Sequence, residues 1–89
     1  MLNKDIIPIG KYLVMWCSKH GIKRTDFKKA VGYHNATCMT SIKGLSLQKY
    51  FIIAEYMAET SQVLPVEFYL KRLKNVLQGK YTQREYSKE

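Results

Sequence analysis

RTDFKKAVGYHNATCMTSIKG, residues 24–44, is the stretch whose reading decides the fold. Thr25 and Asp26 offer capping oxygens ahead of Phe27, Ala30 and Val31, and Gly32 supplies a residue that tolerates positive φ after the last apolar position. That pattern predicts a short helix from about Arg24 to Val31. A turn at Gly32, Tyr33 and His34 follows. Asn35 to Ile42 then reads as another short and weakly apolar helix, closed by Lys43 and Gly44. Two short helices meeting at a glycine turn therefore stand at the centre of the chain.

The flanks read as helices too. Pro8 precedes Ile9, Leu13 and Trp16, whose spacing of four and three residues marks one face of a first helix that ends before His20 and Gly21. After Gly44, Ser46 is a candidate N-cap for Leu47, Tyr50, Phe51, Ile53, Ala54 and Met57, the most hydrophobic stripe in the chain, predicting a mostly buried fourth helix. Thr60 to Leu64 reads as a connection. Pro65 opens a fifth helix running to about Gln78, with Val66, Tyr69, Leu70, Leu73, Val76 and Leu77 on one side, and Gly79 ends it. The expectation is an all-α, compact bundle of about five short helices over residues 1–78, with 79–89 as a polar, flexible tail.

Bulk properties narrow the function classes. At 89 residues the chain accommodates one compact domain, and 46% hydrophobic with 25% charged residues is an ordinary globular balance. Fifteen Lys and Arg against seven Asp and Glu give a formal charge of +8. Such an excess favours a polyanionic partner, because neutralising phosphates releases condensed counterions. No apolar run reaches the length of about 20 residues that a bilayer span needs, and Met1 to Gly10 carries no signal-peptide core, so a cytoplasmic protein without membrane contact is expected. Cys17 and Cys38 have neither CxxC spacing nor a His at metal-ligand distance; they read as reduced, half-buried helix residues, with no metal or other cofactor. Trp16, Phe27, Phe51 and Met57 stand at core spacing, and His20 lies near a helix C-terminus, where an imidazole suits the dipole. No catalytic triad order, carboxylate pair or phosphate-binding loop has a convincing context, so neither an enzyme nor a small-molecule substrate is expected.

From Ile9 to Met57, 49 of the 89 residues, the chain resembles the lambda-repressor-like (Cro/repressor) helix-turn-helix DNA-binding family without a gap. Ile9, Leu13 and Trp16 match inward positions of that family's first helix, and Gly21 and Ile22 its lead into the second. Phe27, Val31 and Gly32 match the end of the second helix, and Gly44 falls twelve residues after Gly32, where another glycine usually follows the recognition helix. Ser46, Leu47, Tyr50, Ile53, Ala54 and Met57 match the fourth. Departures exist: Lys23 and Lys28 stand where the family prefers Thr or Ser and a small Ala, so Lys28 must snorkel or the helix crossing must widen, and Ser41 and Ile42 invert an apolar and a polar slot.

The resemblance implies a recognition helix in the major groove whose base-contacting residues are His34, Asn35, Ala36, Thr37, Met39 and Thr40. Asn suits a bidentate pair to adenine, Ala and the Thr methyl suit a thymine methyl, and a Thr hydroxyl bonds base or phosphate. Lys23, Arg24, Lys28, Lys43 and Lys49 are the expected phosphate contacts. The implied function is a sequence-specific transcriptional regulator, repressor-like and of the phage or mobile-element sort, binding double-stranded DNA at a palindromic operator as a homodimer through the C-terminal helix. The alternative is a protein-interaction module on the same scaffold, an antirepressor or polymerase-binding factor, with Tyr33, Met39 and Ile42 as its patch.

Overall fold

A computed structural model describes residues 5–88. Residues 1–4 of the expected domain and Glu89 of the expected tail lie outside the described residues. The architecture is all-α: α1 (Ile9–Lys19), α2 (Arg24–Val31), a single 3-10 turn (Met39–Ser41), α3 (Leu47–Ser61), α4 (Val66–Leu77) and α5 (Gln83–Ser87).

Helix boundaries follow local chemistry. Pro8 and Pro65, both extended, precede α1 and α4. Pro lacks an N–H, and the first-turn positions of a helix leave that group unpaired in any case. The Ser46 hydroxyl accepts the Lys49 N–H at 3.1 Å and starts α3, while the Thr82 hydroxyl accepts the Glu85 N–H at 3.3 Å and starts α5. Helix α2 stops at Gly32, whose φ of 86° lets the Tyr33 N–H turn back onto the Lys28 carbonyl at 2.7 Å.

The core lies where α1, α2, α3 and α4 converge. Leu13, Phe27, Ile53, Met57 and Leu73 are fully buried there, and Trp16, Phe27 and Tyr56 stack in tilted or edge-on pairs. Helices α3 and α4 form the broadest helix pair. The apolar side of α4 (Tyr69, Leu73, Val76) is consumed within this core. Two positions of the expected fourth-helix stripe are not: Leu47 is 72% and Phe51 46% exposed. Leu47 belongs to the first turn of α3 and Phe51 sits beside the Tyr50, Ile53, Ala54, Met57 stripe, so α4 covers neither.

Two expected elements differ from the structure. No α-helix spans Asn35–Ile42; only Met39–Ser41 winds, as a 3-10 turn that packs on α1. Gly10 makes that docking possible. A Cβ at Gly10 would stand 2.5 Å from the Met39 carbonyl oxygen, 2.8 Å from that of Ile42 and 2.9 Å from that of Thr40. Residues 79–89 are not a free polar tail within the described range. Tyr81 is 1% exposed and meets Tyr12 edge-on at 5.3 Å. Its carbonyl accepts the Ile7 N–H, the Gln83 N–H reaches the Asp5 carbonyl, and Ile6 forms an isolated antiparallel bridge with Thr82. The two ends of the described chain clasp each other, and α5 follows the clasp.

Candidate nucleic-acid interface

The loop after α2 is built around a lysine. Lys28 points inward from the last turn of α2, is only 9% exposed, and donates from Nζ to the carbonyl oxygens of Asn35 at 2.9 Å and Thr37 at 3.0 Å. An ammonium group enclosed this far needs acceptors, and two main-chain carbonyls in a loop provide them. The same bonds hold the loop in a shape incompatible with an α-helix, in which those carbonyls would face N–H groups four residues on. His34 adds a second local lock: its carbonyl accepts the Thr37 N–H at 2.9 Å and its Nδ1 accepts the Ala36 N–H at 3.0 Å. Lys28 is thus a structural brace, and the expectation that it contacts phosphate is corrected.

Met39 is corrected as well. It is 3% exposed and belongs to the core, facing away from any base edge. His34, Asn35, Ala36 and Thr40 are exposed and Thr37 is half-buried. His34 and Asn35 share a shallow depression with Lys29, Gly32 and Tyr33. Lys49 joins them from α3: its Nζ donates to the Gly32 carbonyl at 3.1 Å and lies 4.8 Å from the centre of the Tyr33 ring. A cation at this place also suits the negative end of the α2 dipole. With one of three ammonium donors used on Gly32, Lys49 keeps donors for a phosphate.

The remaining candidates lie elsewhere. Arg24, exposed at the start of α2, shares a depression with Ser18 and Lys19 of α1 and Gln83 and Tyr86 near α5; no residue of the 33–37 loop lines it. Lys23 is exposed next to it. Thr40, Ile42 and Lys43 border a third depression together with Ile6 to Ile9 and with Val76, Leu77 and Gly79. The structure therefore divides the expected contact set into three places. The one around Gly32 includes Lys29, which the sequence reading passed over, and Tyr33, which it assigned only to the turn and to the alternative interaction patch. The available signal for Lys29 was its position, three residues before the helix-stopping Gly32.

Both cysteines are free, as expected, and Cys17 lies in a helix, but neither is half-buried and Cys38 is not helical. Cys17 is buried in α1, and burial pushes its thiol up to about 11 despite the nearby Arg24 charge. Cys38 is exposed in the loop, 3.1 Å from the Thr40 hydroxyl, and hydrogen bonds from Thr40 and then Ser41 bring its thiol down to about 7. No group of three or more potential metal ligands occurs among the described residues. No helix among them is long and apolar enough to cross a membrane.

No protein family, curated protein or solved structure matches this chain.

Proposed function

We propose that this protein is a DNA-binding transcriptional regulator that approaches duplex DNA with the basic side formed by α2, the loop after it and the start of α3. The observation that carries this reading is the placement of charge. Residues 23–49 contain six of the fifteen Lys and Arg and one of the seven acids, and all of those cations but the enclosed Lys28 are exposed or half-exposed. Beside Lys29 and Lys49 the side chains of His34, Asn35 and Ala36 stand exposed on a braced loop, while Arg24 at the start of α2, next to Lys23, and Lys43 after the 3-10 turn border separate depressions. Phosphate contacts from Lys23, Arg24, Lys29, Lys43 and Lys49 would position the protein, and the loop side chains would read base edges. The likeness of residues 9–57 to the lambda-repressor-like pattern supports the reading through α1, α2, Gly32 and the Ser46 cap, and not through a recognition helix. With a loop as the reading element, most of the affinity comes from the backbone and few base pairs are specified.

Selection of sites from a random duplex pool tests the proposal. A short enriched motif is expected, and Asn35→Ala weakens that motif more than bulk DNA. A pool that enriches nothing counts against sequence reading.

A second reading, a protein-interaction module, draws on a specific observation: the exposed apolar pair Leu47 and Phe51, one helical turn apart on α3. The earlier patch of Tyr33, Met39 and Ile42 offers less, with Met39 buried and the others half-buried. A homodimer on a palindromic operator fits the first reading. Because the apolar side of α4 is occupied inside the monomer, the Leu47 and Phe51 pair is a better dimer surface than the C-terminal helix. Sedimentation of Leu47→Ser with Phe51→Ser against the parent chain distinguishes a dimer from a monomer.

A further inference from the structure

A cavity of about 180 Å³ opens between α1, the α3–α4 connection, α4 and α5, away from the loop after α2 and sharing no residue with it. We propose that it is a binding site for a small single-ring aromatic carboxylate.

Size sets the first limit. An apolar cavity of about 150 Å³ is enough to hold benzene, so this one takes one ring and a short substituent. The walls set the second. Tyr12 and Trp16 of α1, Phe68 and Tyr69 of α4 and Tyr86 of α5 contribute aromatic surface, which receives a flat ring face-on or edge-on. Val63 and Leu64 stand at the rim, 80% and 39% exposed, and extend the apolar surface outward.

Charge sets the third. The side chains lining the cavity include Lys19, His20 and Arg72 and no Asp or Glu. Lys19 Nζ lies 5.6 Å from the centre of the Tyr86 ring, and the His20 ring stacks on Trp16 at 4.5 Å. A carboxylate at this rim meets two fixed cations, Lys19 and Arg72, while burial and the Lys19 charge lower the His20 pKa and favour its neutral imidazole. A donor is also at hand. The Ser61 and Tyr69 hydroxyls are 2.8 Å apart, so their mutual bond uses one of their two protons and leaves the other. Trp16 Nε1 is buried without a hydrogen-bond partner and has no surface open to the cavity, so the hydroxyl pair is the donor within reach. Aromatic walls, a cationic rim and an unused hydroxyl proton together fit an aromatic acid better than a neutral arene or a simple inorganic anion.

Trp16 is the chain's only tryptophan, so its fluorescence reports on the cavity directly. Phenylacetate titrated into the full chain should give a saturable change in Trp16 emission and raise the melting temperature. Benzyl alcohol, which lacks the charge, and acetate, which lacks the ring, should each bind about ten-fold more weakly or worse. Lys19→Gln, a surface substitution that preserves the fold, should weaken phenylacetate about five-fold and leave benzyl alcohol unchanged. The indole N–H resonance of Trp16 should move with phenylacetate in the same titration. The proposal is overturned if phenylacetate gives no saturable response, if acetate or benzyl alcohol matches it, or if Lys19→Gln leaves its affinity unaltered. DNA binding is a separate readout, so failure here leaves the regulator reading standing, and the reverse also holds.

Discussion

Lys28 carries two main-chain hydrogen bonds across a loop that has no regular structure over residues 32–38, and these bonds, with the His34 bonds to Ala36 and Thr37, hold the chain there. Lys28→Met keeps the apolar stem and leaves the Asn35 and Thr37 carbonyls without their donor. Loss of about 1–3 kcal/mol of stability is expected, measured by urea denaturation, with faster amide exchange confined to residues 33–38. Unchanged stability would mean that the loop holds its shape by other means. The two thiols give a pH-dependent contrast. A thiol at about 7 is half thiolate near neutrality, so alkylation of Cys38 by iodoacetamide should rise steeply as pH increases through 7, while Cys17, at about 11, stays unmodified until the protein unfolds. Thr40→Val removes the largest cause of the Cys38 shift and moves that rise to higher pH; peptide mapping of both sites reads the difference.

Among the elements, those with a strong local stop or start were legible in the sequence. The extent of α2 read correctly from its apolar positions and Gly32, although Thr25 and Asp26 lie inside the helix and its N-cap is Lys23, without a side-chain bond; α3 read correctly from the Ser46 cap, and the clustering of Phe27, Ile53 and Met57 in the core from helical spacing. The segment 35–42 did not read correctly, because its glycine spacing copied a helix-turn-helix while its residues did not favour one. Asn35, Thr37, Cys38, Thr40 and Ser41 all have modest helix propensity, and Asn, Ser and Thr side chains compete for main-chain groups. Against that weak preference stood the Lys28 ammonium, bonded to two loop carbonyls, and the bare Cα of Gly10, both acting across sequence distance and invisible to a periodicity argument. The C-terminal clasp was hidden for a similar reason, since one Tyr in a polar run carries no period. Tyr81→Ala should cost about 3–5 kcal/mol, a large share of the ~5–15 kcal/mol of a small domain, and loosen the 5–7 and 80–87 segments together in hydrogen exchange. A loss confined to residues 80–87 would show that the two ends are not coupled.

At the scale of the molecule, charge is distributed unevenly in a body of 12.5 Å radius of gyration. The excess of Lys and Arg was legible in the sequence, because it is a property of composition. Which lysines face outward depends on packing, and that is why Lys28 turned out enclosed while Lys29, beside it, is exposed. The most direct test of the nucleic-acid reading is the affinity for a fluorescent duplex of about 20 base pairs, followed by anisotropy as KCl is raised. Binding that weakens linearly on logarithmic axes is expected, with a slope that shrinks by about one unit for each of Lys29→Ala and Lys43→Ala. An anisotropy that stays flat at low salt, or an affinity indifferent to KCl and to both substitutions, would contradict it.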